Sequence, residues 1–307
     1  MRHAIVTGAE GFLGRHLVRD LREHGVHVTA LGREPRPEAS YAAMGDAPWC
    51  SSRLAKIIET VEPDAIFHLV GGAVGSAAEL EQLNVGVAAC VMQAVRDTGA
   101  RPLLVFAGSA AEYGSAIVDG VPVCEMATCA PVGSYGAAKL AQTKAALAFA
   151  ETTGTPVLIA RIFNPIGPGM PPYLALGEFA RQIALLRGAG GVLHTGNVHV
   201  FRDFIDVKHV ATALRRLAQN TDARGVVNVC SGQATELHHL VEMLIDVSAK
   251  RVVIETKGSR LRPGEFRTVV GSRTLLASFG AAPPPTDYAD AVARIWHDAE
   301  TRWGAAA

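Results

Sequence analysis

Short runs of apolar, often β-branched residues alternate along the chain with longer stretches in which apolar positions recur every three or four residues. The short runs are AIVTG (4–8), HVTAL (27–31), DAIFHLV (64–70), LLVFAG (103–108), PVLIARIF (156–163) and VVNVC (226–230). Most are apolar on both faces, as strands of a parallel sheet covered on each side by helices must be. The longer stretches predict helices at about 12–24, 52–61, 79–98, 134–152, 207–219 and 235–247. This alternation predicts an α/β fold, a Rossmann-type doubly wound parallel sheet. From about residue 165 the pattern loosens, and NPIGPGMPPY and APPPTDY are rich in proline and glycine. That part reads either as surface loop or as a smaller C-terminal region inserted after the sheet.

Composition narrows the picture. The 307 residues are 49% hydrophobic and 19% charged, enough for one large or two modest domains with a real core. Formal net charge is zero, and no basic stripe or like-charge block stands out, so no nucleic-acid partner is expected. The chain opens into AIVTGAEG without the pattern of a signal peptide, and no apolar run is long enough to span a bilayer. No membrane partner and a cytoplasmic location are therefore expected. Cys50, Cys90, Cys124, Cys129 and Cys230 are scattered and odd in number, which argues against a disulfide framework or a zinc site. Eleven histidines include no His-Glu-x-x-His, and no metal is expected.

The chemistry begins at VTGAEGFLGRHL, where Gly8, Gly11 and Gly14 follow a predicted strand and open a predicted helix. Glycines there allow a tight turn and let a pyrophosphate approach the free N–H groups at a helix N-terminus, with Phe12 and Leu13 in its first turn. The expected division is a dinucleotide-binding domain over 1–165 and a mainly substrate-binding region over 166–307, interleaved because the strand near 226–230 returns to the sheet. For NAD an acid is expected after the second strand, about 20 residues past the loop, to hold the ribose hydroxyls. This chain has LGREPR instead, with Gly32 and Arg33 in place and Glu34 one position late. A guanidinium suits a 2′-phosphate, so NADP(H) is favoured and NAD(H) stays possible.

Ser109 directly follows the predicted strand LLVFAG (103–108), at the edge of the sheet that faces the ligand crevice. In SYGAAKL, Tyr135 and Lys139 are four apart and share one helix face, with small neighbours between them. A nearby ammonium is expected to lower the tyrosine pKa and make it a usable acid, while the serine hydroxyl holds a carbonyl oxygen. Glu112 reads either as a substrate contact or as a satisfied loop carboxylate. Arg161 reads as structural.

TGAEGFLGRHL, PDAIFHLVGG, the asparagine of LNVGV, GSAAEYG, SYGAAKL, RIFNPIGPG and FRDFIDV together resemble the extended short-chain dehydrogenase/reductases over nearly the whole chain. The resemblance implies that Ser109, Tyr135 and Lys139 form the catalytic unit and that Gly8, Gly11 and Gly14 form the dinucleotide loop. It implies an adenine contact at Asp46 and a cofactor wall at Leu69, Val70 and Gly71, where FHLVGGA departs from the commoner FHLAA. It further implies a nucleoside-diphosphate sugar as substrate, with Asn164 beside it and Arg202 and Arg262 gripping its ribose or diphosphate, as planar guanidinium forks can. The helices at 79–98 and 134–152 are those through which the family often dimerises, so a homodimer is expected.

Within the branch, dehydration needs an extra acid and base beside the active-site hydroxyl, and Ala110 and Ala111 supply neither. ARIFNPIGPGM, FARQIA and VVNVCSG resemble the 4-ketoreductases of deoxysugar synthesis, including those acting on GDP-4-keto-6-deoxymannose. The leading expectation is an NADPH-dependent sugar-nucleotide 4-ketoreductase. An NAD-dependent 4-epimerase on UDP- or dTDP-hexose and a non-catalytic dinucleotide sensor stay open, the last weakened by the retained Tyr-x-x-x-Lys.

Overall fold

A computed structural model describes residues 1–38, 40–188, 190–258 and 266–304. Seven parallel strands form the central sheet: β1 (His3–Thr7), β2 (His27–Gly32), β3 (Tyr41–Ala43), β4 (Ala65–His68), β5 (Leu103–Ser109), β6 (Val157–Ile162) and, late in the chain, β10 (Gly225–Val229). Their order is β3-β2-β1-β4-β5-β6-β10. The chain reverses its direction of travel across the sheet between β1 and β4, and in open α/β sheets ligands bind outside the carboxyl ends of the strands at such a switch point. Thr7 and His68 end those two strands side by side. The Thr7 Oγ1 to His68 Nδ1 distance is 2.9 Å, and the same hydroxyl accepts the Leu69 N–H, tying the two strand ends together.

Helices cover both faces. α1 (Phe12–Glu23) and α7 (Val207–Gln219) pack on one, where Leu17 and Leu21, one turn apart, meet Leu214 and Leu217. Each such side chain taken fully out of water contributes roughly 1.5–3 kcal/mol. α2 (Ser51–Val61), α4 (Val87–Thr98) and α5 (Ser134–Thr153) cover the other, around Leu54, Val91, Phe106 and Phe149. α5 ends at Gly154, whose φ of +69° closes the helix in a left-handed turn.

Two departures from the sequence pattern matter for the site. The stretch predicted as one helix over 79–98 is α3 (Ala77–Glu81), a π-helical turn over Gln82–Gly86, and α4. The strand predicted over 64–70 stops at His68, and Leu69 and Val70 form the loop wall behind Gly8.

After β6 the chain is far more ordered than its Pro/Gly content suggests. β7 (Asn164–Ile166) pairs with β9 (Phe201–Asp206), which also pairs with β11 (Ala234–Glu236) and β13 (Thr268–Val269). β8 (Gly190–Thr195) pairs with β12 (Arg251–Thr256). α6 (Ala175–Ala184), α8 (Leu237–Ser248) and α10 (Tyr288–Trp303) enclose a separate core of Phe179, Ile183, Leu240, Leu244, Ile295 and Trp296. A short α9 (Thr274–Ser278) returns to β10. All five cysteines are free thiols. Among the described residues no helix is long and apolar enough to cross a membrane.

Candidate active site

The carboxyl edge of the sheet, from β2 to β6, gathers most of the sequence-predicted residues. Gly8, with φ of +68°, turns the chain from β1 toward α1, and a Cβ there would lie 3.0 Å from the backbone of Leu69 and Val70. A Cβ on Gly14 would lie 2.0 Å from the Gly8 carbonyl, so only glycine lets α1 come this close to the loop. α1 starts after Gly11 with no side-chain cap, leaving the N–H groups of its first turn, Phe12, Leu13 and Gly14, without a side-chain acceptor among the described residues. Those donors and the helix dipole suit a pyrophosphate. The residues present thus fit a dinucleotide.

At the far edge of the crevice, Arg33 and Asp46 are brought together: Arg33 Nε lies 3.1 Å from Asp46 Oδ1. Glu10, inside the glycine loop, accepts the Arg33 N–H at 3.3 Å and is also paired with Arg36.

Ser109 closes β5 and caps a short 3₁₀ turn over Ala110–Glu112, its Oγ accepting the Ala111 N–H. α5 lies against this turn because Gly136 has no side chain: a Cβ there would come within 2.5 Å of the Ala111 carbonyl. The small residues of SYGAAKL are therefore a packing requirement. They let Tyr135 reach Ser109, while Lys139, one turn on, is buried beneath with its Nζ donating to the Ala107 carbonyl (2.8 Å) and to Gln142 Oε1 (2.9 Å).

The electrostatics correct one expectation. Burial, not Lys139, dominates Tyr135 and raises its pKa; the nearby Ser109 hydroxyl pulls the other way. The ammonium is engaged by Ala107 and Gln142, and burial pushes Lys139 itself down to about 8. A phenol with a raised pKa is protonated at neutral pH, which is the state a proton donor needs. His68, buried and near Lys139, is held down to about 3 and so is neutral.

Glu112 corrects another. It is fully buried, and both carboxylate oxygens are engaged: Oε1 by the Ser109 N–H (2.8 Å), Oε2 by Thr143 Oγ1 (3.0 Å) and Arg161 Nε (2.9 Å). With no face toward solvent it is not a substrate contact; it holds the Ser109 turn. Arg161 lies over the Tyr113 ring at 4.7 Å, and Tyr113 donates to Asn228 on β10.

Sequence reasoning counted Asn84, the asparagine of LNVGV, among the motifs of the resemblance but gave it no role, and it passed over Gln142. Asn84 sits in the π turn, donates to the Gly72 and Leu80 carbonyls, and leaves Oδ1 buried without a partner among the described residues. A Cβ on Gly71 would lie 2.6 Å from that oxygen and 3.2 Å from Lys139 Nζ, so Gly71, Asn84 and Lys139 converge. The signal for Asn84 was its place in the LNVGV motif, a polar residue within an apolar helical pattern. Gln142 had none beyond its i+3 spacing from Lys139.

Asn164 lies on β7 and donates to the Asp203 carbonyl at 3.0 Å. Arg202 lies on β9, its Nη1 on the Phe201, Phe266 and Arg267 carbonyls. Arg262 falls outside the described residues.

Comparison with known proteins adds to this geometry. Residues 4–230 match the model of the NAD dependent epimerase/dehydratase family. The chain is 29% identical to the GDP-6-deoxy-D-mannose reductase of Pseudomonas aeruginosa, with 97% of each chain covered. It is 32% identical to the dTDP-6-deoxy-L-talose 4-dehydrogenase (NAD(P)(+)) of Kitasatospora kifunensis, over 79% of this chain and 78% of the other. UDP-glucose 4-epimerases also match, that of Corynebacterium glutamicum at 25% identity over 95% of this chain and 94% of its own. The solved structure of RMD from Pseudomonas aeruginosa complexed with NADPH superposes with a TM-score of 0.82 at 29% identity, covering 98% of both chains.

Proposed function

From the premise that the chain belongs to the NAD dependent epimerase/dehydratase family, as an extended short-chain dehydrogenase/reductase, we propose that it reduces the C4 ketone of a nucleoside-diphosphate 4-keto-6-deoxy sugar, GDP- or dTDP-linked, at the expense of NADPH. The observation that carries this reading is the placement of the Tyr135 phenol beside Ser109 at the carboxyl end of β5, with Lys139 one helical turn on. Likeness to a GDP-6-deoxy-D-mannose reductase over nearly the whole chain supports the substrate class.

Gly8, Gly11, Phe12, Leu13 and Gly14 hold the pyrophosphate, Leu69, Val70 and Gly71 line the crevice, and Arg33 and Asp46 stand at the adenosine end. NADP(H) is the favoured cofactor, with NAD(H) admissible. When bound in reduced form, the dinucleotide supplies the hydride for the ketone carbon. Ser109 donates a hydrogen bond to the ketone oxygen and fixes its place. Tyr135 gives that oxygen its proton as negative charge develops. Lys139, cationic below about pH 8, steadies the charge left on the phenol and can reach ribose hydroxyls. Asn164, Arg202 and Arg262 are assigned to the sugar nucleotide. In this reading the protein is a cytoplasmic homodimer paired through α3–α4 and α5.

The similarity to UDP-glucose 4-epimerases sustains a second reading, reversible oxidation at C4 with retained NAD. One experiment separates the two. Wild type and Tyr135→Phe are incubated with NADPH and a panel of GDP-, dTDP- and UDP-linked 4-keto-6-deoxyhexoses, and NADPH absorbance is followed. We expect wild type to consume NADPH with one nucleotide class, and Tyr135→Phe to bind NADPH normally but turn over about 10²–10⁴-fold more slowly. No consumption with any ketone, together with interconversion of UDP-hexoses, replaces the reductase with the epimerase. Full activity in Tyr135→Phe removes the acid role.

A further inference from the structure

The end of β2 has no acid, yet the place an acid would fill is occupied. A Cβ built on Gly32 would lie 1.9 Å from the Tyr41 hydroxyl and 2.7 Å from Glu10 Oε2. Gly32 is therefore glycine because two other side chains converge on the space its own would take. One is the Glu10 carboxylate, delivered by the glycine loop that follows β1, the neighbour of β2 in the sheet. The other is the buried Tyr41 hydroxyl, which lies against the Glu10 carboxylate and is held above the ordinary phenol range by burial and by that contact. Tyr41 is placed there by β3, which pairs with β2 so that Tyr41 lies opposite Ala30.

Glu10 is not idle in this position. Its Oε2 accepts the Arg33 N–H, and its other oxygen pairs with Arg36, whose guanidinium also lies 5.9 Å from the centre of the Tyr41 ring. Arg33 in turn is paired with Asp46. Both of these guanidinium groups, Arg33 and Arg36, are thus matched to a carboxylate among the described residues. A dianionic 2′-phosphate has to displace a carboxylate from an arginine and sit beside that carboxylate's charge. A neutral 2′-hydroxyl faces no such barrier and finds an acceptor in place.

We propose that Glu10 is the dinucleotide selector of this chain. Its carboxylate accepts the adenosine ribose hydroxyls in place of the missing acid at the end of β2, and Arg36 leaves it to pair with a 2′-phosphate when one is present. Glu10 favours NAD(H), Arg36 favours NADP(H), and their mutual pairing lets one site take both. The proposal concerns the dinucleotide alone and stands or falls independently of the C4-ketone reading, since its test contains no sugar nucleotide.

The test is equilibrium binding of NADPH and NADH, by quenching of protein fluorescence or by calorimetry, to wild type, Glu10→Gln and Arg36→Ala. Glu10→Gln keeps the shape and removes the charge. It is expected to tighten NADPH and weaken NADH, each by about tenfold, since charge-assisted hydrogen bonds and close like-charge contacts each carry effects of that order. Arg36→Ala is expected to weaken NADPH about tenfold and leave NADH within about twofold. Thermal melts of each variant check that the fold is retained. If Glu10→Gln changes both affinities by the same factor, or neither, Glu10 is only a loop-shaping residue and the proposal is overturned. An NADPH affinity unchanged in Arg36→Ala overturns the arginine half.

Discussion

Two arginine–carboxylate pairs stand on the carboxyl edge of the same sheet, one past β2 and one past β5, with β1 and β4 between them. Past β5, the Arg161 and Glu112 side chains are 5% and 0% exposed, and the carboxylate is also held by Ser109 and Thr143. Past β2, Arg33 and Asp46 are 69% and 80% exposed, and each is held by little besides the other. The chemistry of the groups is the same and their physics is opposite. A buried pair has lost its water, so neither partner can leave without stranding a charge, and the geometry it fixes is permanent. An exposed pair is screened and weak, so its partners can be exchanged for a ligand. The end that holds the Ser109 turn is built from the first kind, and the end past β2, proposed above to meet the adenosine ribose, from the second.

The strongest way to break this comparison is to remove Glu112. Glu112→Ala strands the Arg161 guanidinium beneath Tyr113 and leaves the Ser109 N–H without its acceptor. Breaking a buried pair from one side costs roughly 3–5 kcal/mol, and denaturant titration should show a loss of that size. The double variant Glu112→Leu/Arg161→Met removes both charges and should recover most of the stability. Its turnover should stay low, because the Ser109 turn loses its tether in either case. A single variant as stable as wild type means that the pair is not holding the turn.

Lys139 sharpens the comparison through pH. Burial lowers its pKa to about 8 from the ordinary 10.5. Between those values the unfolded chain carries this proton and the native chain does not, so this residue makes native stability rise with pH across the window, reach its full effect above 10.5, and impose a constant penalty below 8. In Lys139→Met that contribution is gone. The difference in unfolding free energy between wild type and variant should be flat below pH 8 and climb in favour of wild type up to 10.5. A difference flat over the whole range means the ammonium is solvated, and the buried end of the site is then wetter than its neighbour Glu112 indicates.

The sheet lobe was legible because its residues obey simple rules. β1, β4, β5 and β6 are apolar on both faces, and the glycines of the first loop announce a close backbone approach. β3 was invisible: Tyr-Ala-Ala is three residues at an edge, too short for any period. The π turn was hidden because periodicity over 79–98 cannot tell a local widening from a continuous helix. In the second lobe the signals existed but were outvoted. Val292, Ile295, Trp296 and Ala299 have helical spacing, and Asp287 caps α10, yet the proline run just before them has the composition of a loop. Glu112 was ambiguous for a deeper reason: whether an acid among small residues faces solvent depends on Arg161, 49 positions away, and no local pattern carries that information. What fills the space beside Gly32 was hidden for the same reason, since it comes from Glu10 and Tyr41.

The gentlest test lies at the exposed pair. Asp46 touches Arg33 in the open, on a stretch whose burial is slight. Exposed ion pairs of this kind contribute roughly 0–1 kcal/mol, and the contribution fades with ionic strength. Asp46→Ala should therefore leave the denaturation midpoint nearly unmoved, and any small shift at low salt should disappear in concentrated salt. Glu112→Ala should behave in the opposite way, its loss persisting at high salt because ions do not screen a pair buried under Tyr113. The salt response, more than the size of either effect, is what separates a pair that holds the site in shape from a pair that is free to change partners. Equal salt sensitivity at the two positions would mean that burial is not what distinguishes the two ends.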